Sequence, residues 1–393
     1  MDHLLNPADA IALTQELVRI NTTNPPGDES PAIGVIEARL RQSGFETVTV
    51  PYLQGGERSH VVGRLRGSGK RAGLLFSGHV DVVPPGNVAW TVAPFGGEVR
   101  AGRLYGRGSC DMKGGVAALV VAAEAIARSG AALAGDLVVA VTADEERNCL
   151  GAEELVREPL FDGLGAVIVA EPSSLGIYVA EKGAFWVEVT FYGKTAHGSM
   201  PHLGANALAA MADFLSHWEA RYPTDDPVHP LLGTPTLNLG LIHGGVKVNV
   251  VPDRCQAQMD MRTVPPLEHA ALRRDLESVL EEVRLRRPGV RSEVQVLSDR
   301  PPVSCPADSD LARALGRAVQ EIAGVDPTPR GVPYCTEACI WVPSLGIPAV
   351  ICGPGSPGMA HQPDEYVPVR ELELAAEVYY RAARELLGGE DGV

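Results

Sequence analysis

A histidine and an aspartate, His79 and Asp81, stand two positions apart in SGHVDVVPPG, directly after the apolar run RAGLLF. Alternation along a strand sends both side chains to one side and Val80 and Val82 to the other. Such a pair either closes a strand end with a hydrogen bond or presents an imidazole to a metal with a carboxylate behind it. Four further places put acidic or imidazole groups where an apolar run ends. They are Asp111 in GRGSCDMKGG, Asp144, Glu145 and Glu146 in TADEERN, Glu171 in VAEPSS, and His361 in GMAHQPDEY. Ligands of α/β sheets sit outside the carboxyl ends of strands, so these groups are expected along one edge. Taken singly, each has an ordinary reading. Asp111 serves as a helix N-cap, the DEER stretch as a solvated helix start, Glu171 as a turn residue before Pro172, and His361 as a structural histidine. Taken together, several carboxylates at one edge repel one another and raise their pKa values unless a cation is present. Two histidines with several carboxylates suit zinc. Mixed sets of this kind, with one bridging carboxylate, hold pairs of divalent ions about 3.5–4 Å apart.

Other chemistry fails on inspection. RLRGSGKR imitates a phosphate loop but has Arg64 in place of the first glycine and Arg71 in place of the hydroxyl residue. GRGSCD lacks the third glycine of a dinucleotide fingerprint, and GPGSPG does not match the nucleophile elbow.

The elements that must position these groups fall into three stretches. From residue 7 to about 178, helical patterns such as PADAIALTQELVRI and MKGGVAALVVAAEAIARSG alternate with the short apolar runs SHVVGRL, GLLFSGH, GDLVVAVTAD and GAVIVAE. This predicts an α/β sheet covered by helices. From about 180 to 295 the pattern becomes strand (AFWVEVTFYG), helix (GANALAAMADFLSHWEARY), two strands (TPTLNLGLIHGG and RCQAQMDMRTV), helix (LEHAALRRDLESVLEEVR) and strand (SEVQVLS). That order, β-α-β-β-α-β, is a small ferredoxin-like α+β unit. After residue 300 the α/β pattern resumes with SDLARALGRAVQEIAG, IPAVICGPG and VRELELAAEVYYRAARELL. The expected organisation is a discontinuous α/β domain, 1–178 and 296–393, interrupted by an inserted domain, 179–295.

Length and composition agree with two domains. The chain has 393 residues, of which 45% are hydrophobic. No apolar stretch reaches the ~20 residues of a membrane span, and MDHLLNPADA lacks the pattern of a signal peptide. The net charge of −15 and the absence of a long basic cluster argue against nucleic acid as a partner. Seven scattered cysteines without a Cys-x-x-Cys pair fit a reduced, cytoplasmic compartment.

At SGHVDVVP, GRGSCDMKGG, TADEE, AEPSS, GKTAHGSMPHLGANA and AHQPDEY, in this order and across nearly the whole chain, the sequence resembles one family. It is that of the dinuclear-zinc amidohydrolases and exopeptidases. Its members include acetylornithine deacetylase, succinyl-diaminopimelate desuccinylase, aminoacylase and glutamate carboxypeptidase. PYCTEA, TPTLNLGLIHGG and GPGS…AHQPDEY look nearest to acetylornithine deacetylase, whereas KVNVVPDRCQAQMDMR fits the wider family equally well. The resemblance implies a zinc-exopeptidase-like catalytic domain with an inserted lid and dimerisation domain, and a homodimer built through that insert. It implies two Zn²⁺ per chain, with Co²⁺ or another divalent ion as substitutes. His79, Asp111 and Glu171 would hold one ion; Asp111, Glu146 and His361 would hold the other, with Asp111 bridging. Asp81 would clamp the free ring nitrogen of His79, and Glu145 would be the general base. His197 in KTAHGSMP would reach the partner subunit's site and stabilise the carbonyl oxygen under attack. Arg262 in MDMRTV would bind a substrate carboxylate, and Asn249 would be a substrate contact. Read without the resemblance, His197 is an ordinary loop histidine and Arg262 a surface ion pair. The implied reaction is hydrolysis of the N-acyl amide of an N-acyl amino acid. A desuccinylase-like deacylase, or a dipeptidase or carboxypeptidase acting on a dipeptide, is the alternative within the same chemistry. A non-catalytic relative would be expected to lack the base or a ligand.

Overall fold

The computed structural model describes residues 4–52 and 58–388. Residues 1–3 and 389–393, which open and close the expected catalytic domain, lie outside the described residues. The chain divides into two compact units. One comprises the chain up to Val179, Cys305–Arg330 and the chain from Thr336; the other comprises Ala180–Ser304 and Gly331–Cys335.

The sheet of the first unit runs in the order Glu46–Pro51, Ser59–Leu65, Leu137–Thr142, Gly73–His79, Leu164–Val169, Ala349–Ile351. The last four strands are mutually parallel, and the first two pair antiparallel at the edge. Strands Gly73–His79 and Leu137–Thr142 are buried at every residue. That is why they read as continuous apolar runs rather than alternating ones. Helix Lys113–Arg128 packs on both of these strands and on the closing helix Val369–Leu387. Its residues are buried from Lys113 through Ile126, as its apolar composition on all faces requires. A small three-stranded sheet joins Glu98–Arg100, Arg103–Tyr105 and Tyr366–Pro368. Strands of three residues carry no readable period, so none of these was foreseen.

The second unit is a four-stranded antiparallel sheet in the order Thr236–Gly244, Arg254–Thr263, Gly183–Tyr192, Arg291–Arg300. With helices Ala207–Arg221 and His269–Arg286 between strands, this is the ferredoxin-like β-α-β-β-α-β arrangement. Strand Arg254–Thr263 alternates strictly, and its inward residues join Phe191, Phe214 and Trp218 in the unit's core. The unit runs to Ser304, beyond the expected boundary at 295. Strand Arg291–Arg300 stays paired with Gly183–Tyr192 as far as Arg300 opposite Ala184. Residues Gly331–Cys335 join it too, through a hydrogen bond from Lys182 N to Val332 O at 3.1 Å. No helix among the described residues is long and apolar enough to cross a membrane.

Candidate active site

The parallel ladder brings the carboxyl ends of its strands to one edge. His79 is the last residue of its strand and lies in register with Thr142, after which Asp144, Glu145 and Glu146 follow. Glu171 comes two residues after the end of Leu164–Val169. Its backbone is tightly packed: a Cβ added at Gly115 or Gly353 would lie 2.1 or 2.2 Å from the carbonyl oxygen of Ala170. Only glycine permits the helix start and the chain after Ile351 to approach that close. Asp111 sits in the turn before helix Lys113–Arg128, and His361 in the loop before Tyr366–Pro368.

Two sets of donors result. His79, Asp111 and Glu171 form one; Asp111, Glu146 and His361 form the other, and within each set the candidate ligand atoms lie within 4.8 Å of one another. His79 Nε2 is 3.3 Å from Asp111 Oδ1 and 3.5 Å from Glu171 Oε1. His361 Nε2 is 3.3 Å from Asp111 Oδ2 and 3.2 Å from Glu146 Oε1. Asp111 thus turns one oxygen to each set. His79 Nε2 is buried and makes no hydrogen bond. A buried ring nitrogen without a hydrogen bond, faced by two carboxylates, is the arrangement a cation completes. The residues therefore fit a pair of divalent ions, and the nitrogen and oxygen donors suit zinc.

The electrostatics agree. Burial pushes Glu171 well above the usual carboxyl range, and the charge of Asp111 adds to it. The same two causes push Glu146 up to about 7. His361 is pushed up to about 11 by its hydrogen bonds to Asp111 and Glu146. Burial opposes ionisation of Asp111, but His361 and His79 beside it hold its carboxyl well below the usual range. Protons or divalent cations are the two ways of neutralising such a cluster.

Asp81 behaves differently from simple strand alternation. The strand ends at His79, and His79 Nδ1 lies 3.0 Å from the backbone carbonyl of Asp81 and 3.4 Å from its Oδ1. The Asp81 carboxylate accepts the backbone N–H of Glu145 at 3.0 Å, that of Glu146 at 3.1 Å and the Asn24 amide at 2.8 Å. It therefore ties the His79 segment to the turn carrying both glutamates. Glu145 is buried, with Oε2 3.9 Å from His79 Nε2 and Oε1 accepting the Cys149 thiol at 3.0 Å.

The three remaining candidates belong to the second unit. His197 is exposed, with its Nδ1 2.8 Å from Ser199 Oγ. The chain at His197 bridges to Val250, and Gly198 N donates to Asn249 O at 2.8 Å, so backbone pairing sets His197 and Asn249 side by side. Arg262 pairs with Asp260 at 2.9 Å, and its guanidinium lies 5.7 Å from the centre of the Trp186 ring. Several buried residues were not foreseen. Asn24 bridges Asp81 and Asp144, and Glu337 accepts the hydroxyls of Ser77 and Thr142. Arg107 and Glu365 form a fully buried ion pair. Glu365 lay inside the AHQPDEY motif, the one signal that could have pointed to it.

Two metal-fitting donor sets at the strand ends of an α/β unit, with a ferredoxin-like second unit, define a class of metallohydrolase. Residues 75–385 match the model of peptidase family M20/M25/M40, and the chain belongs to that family. It is 34% identical to the acetylornithine deacetylase of Myxococcus xanthus over 98% of both chains. It is 30% identical to a protein of Staphylococcus epidermidis named "Probable succinyl-diaminopimelate desuccinylase", over 93% of this chain and 94% of the relative. Among solved structures it resembles a tripeptidase of Staphylococcus aureus, with TM-score 0.80, 20% identity and coverage of 98% of this chain and 99% of the other. It also resembles a dinuclear metal-binding peptidase of Bacillus subtilis, with TM-score 0.74, 16% identity and coverage of 97% and 98%. The chain is a metal-dependent hydrolase of the group that unites peptidases with N-deacylases.

Proposed function

We propose that this chain hydrolyses the N-acyl amide of N-acyl amino acids in the manner of an acetylornithine deacetylase. The observation that carries the reading is the pair of donor sets sharing Asp111, with Glu145 against them. His79, Asp111 and Glu171 would hold one ion, and Asp111, Glu146 and His361 the other, zinc in both by preference and cobalt as a substitute. When bound, such ions supply a Lewis acid and a nucleophilic water at neutral pH.

The chain's own residues do the rest. Glu145, held by the Asp81 contact to its backbone N–H, takes a proton from the attacking water and passes it to the leaving amine. Arg262 grips the substrate carboxylate through two parallel hydrogen bonds, exchanging Asp260 for it. His197 donates to the carbonyl oxygen as charge develops there, and Asn249 beside it contacts the substrate. The exposed apolar residues Leu239, Leu241 and Ile242 on edge strand Thr236–Gly244 support a homodimer through the second unit. In that dimer His197 would serve the site of the other subunit. Light scattering on the purified chain tests this, and a monomeric active enzyme would refute it. Seven scattered cysteines without a Cys-x-x-Cys pair support a cytoplasmic setting.

The deciding experiment is a substrate panel with the zinc-loaded chain: N-acetylornithine, other N-acyl amino acids, succinyl-diaminopimelate and dipeptides. Highest kcat/KM on N-acetyl amino acids is expected. Preference for the succinyl substrate would move the chain to the desuccinylases, and preference for dipeptides would overturn the deacylase reading.

A further inference from the structure

The turn that carries Asp111 and the loop that carries His361 are tied to one buried ion pair. Glu365 is fully buried, and its Oε1 accepts the backbone N–H groups of Gly108, Cys110 and Asp111 at 3.0, 2.9 and 3.0 Å. Its Oε2 accepts from Arg107 Nη1 at 2.5 Å. Arg107 then donates to the carbonyls of His361 and Gln362, both at 3.3 Å, and of Pro84 at 3.4 Å. The backbone closes the link, with Gly106 N donating to Glu365 O at 2.9 Å.

The two donor sets are supported differently. His79 ends a parallel strand and Glu171 follows one, so the sheet ladder holds them. Asp111 and His361 lie in turns, and the His361 side chain is 51% exposed. Three N–H groups converging on one oxygen require an acceptor with full negative charge, and a buried guanidinium requires an anion. A glutamine at 365 would meet only part of that demand.

We propose that Glu365, with Arg107, is the positioning residue that fixes Asp111 against His361. It thereby sets how tightly the Asp111, Glu146 and His361 set binds its divalent ion. This rests on the reading of Asp111 and His361 as metal ligands. Loss of such an outer partner typically weakens metal binding by about 10–100-fold.

The test is a calorimetric titration of the stripped full chain with Co²⁺, read in parallel by the cobalt absorption bands. Wild type, Glu365→Gln, Arg107→Lys and His361→Ala are compared, with thermal melting of each. Glu365→Gln should bind the second equivalent about 10–100-fold more weakly, with altered cobalt bands. Binding of the first, which shares Asp111 but keeps the sheet-held His79 and Glu171, should weaken by much less. Arg107→Lys, which keeps the charge but loses the fork to the His361 and Gln362 carbonyls, should show the same loss in smaller degree. It decides the matter if Glu365→Gln does not fold. Two equivalents bound as in wild type by both variants overturn the proposal. Equal weakening of both equivalents with a lower melting point also overturns it, since Glu365 then supports the fold at large. If His361→Ala binds like wild type, the ligand reading itself has failed, and that failure is recognised by its own control.

Discussion

The acidic edge of the first unit and the candidate residues of the second are held in contrasting ways. Asp81, Glu145, Glu171 and His79 are buried, and fixed partners surround them: backbone amides on Asp81, Cys149 on Glu145, a ring nitrogen against Glu171. His197 and Asn249 are exposed, and Arg262 rests on Asp260, a partner another carboxylate can replace. The difference teaches which groups a protein sets in advance. Like charges forced together need a rigid frame, because every displacement costs more in a dry environment than in water. Groups that meet a substrate need accessible surface and partners they can give up.

The largest expected effect belongs to the buried edge. Chelation should abolish turnover and zinc should restore it, with two ions per chain by metal analysis. Glu145→Gln should keep fold and metal yet lower kcat by roughly 10²–10⁴ or more. Near-normal turnover in that variant would mean another group moves the proton.

Arg262→Leu should lower kcat/KM on an N-acyl amino acid by about 2–4 kcal/mol, the scale for losing one side of a charged pair. The variant should also lose discrimination between the acid and its methyl ester. If wild type hydrolyses both equally well, Arg262 is no carboxylate clamp and the Asp260 pair is its whole role.

The last effect is on stability and leaves turnover aside. His60 is buried, its Nδ1 accepts the Ala143 N–H at 3.0 Å, and burial, with Arg58 adding to it, lowers its pKa to about 4. The unfolded chain binds this proton near 6.5, so the contribution is complete above that pH. It declines as pH falls from 6.5 to about 4, by about 3 kcal/mol in all. Urea unfolding at pH 7 and pH 4.5 should show a smaller acid loss for His60→Gln than for wild type. Protonation of the site carboxylates is common to both chains and cancels. Equal losses would place the His60 titration near its ordinary value.

The amino-acid sequence by itself determined the parallel strands, because strands buried on both faces must be apolar throughout: GLLFSGH matches Gly73–His79 residue for residue, and GDLVVAVTAD contains Leu137–Thr142. It also determined that polar residues stand at the ends of those strands, and the shared motifs implied a five-residue ligand set that adds Asp111 and His361 from turns. The β-α-β-β-α-β order was legible for a related reason, since a sheet with one covered face alternates, as Arg254–Thr263 does. Tertiary structure alone decided which oxygen of Asp111 faces His79 and which faces His361, 250 residues further on. It alone gathered three amides onto Glu365 and set Arg107 against it. Patterns along a chain report which face of an element is buried, and burial has a period. A hydrogen bond between two loops has none, because it depends on where the sheet brings their ends.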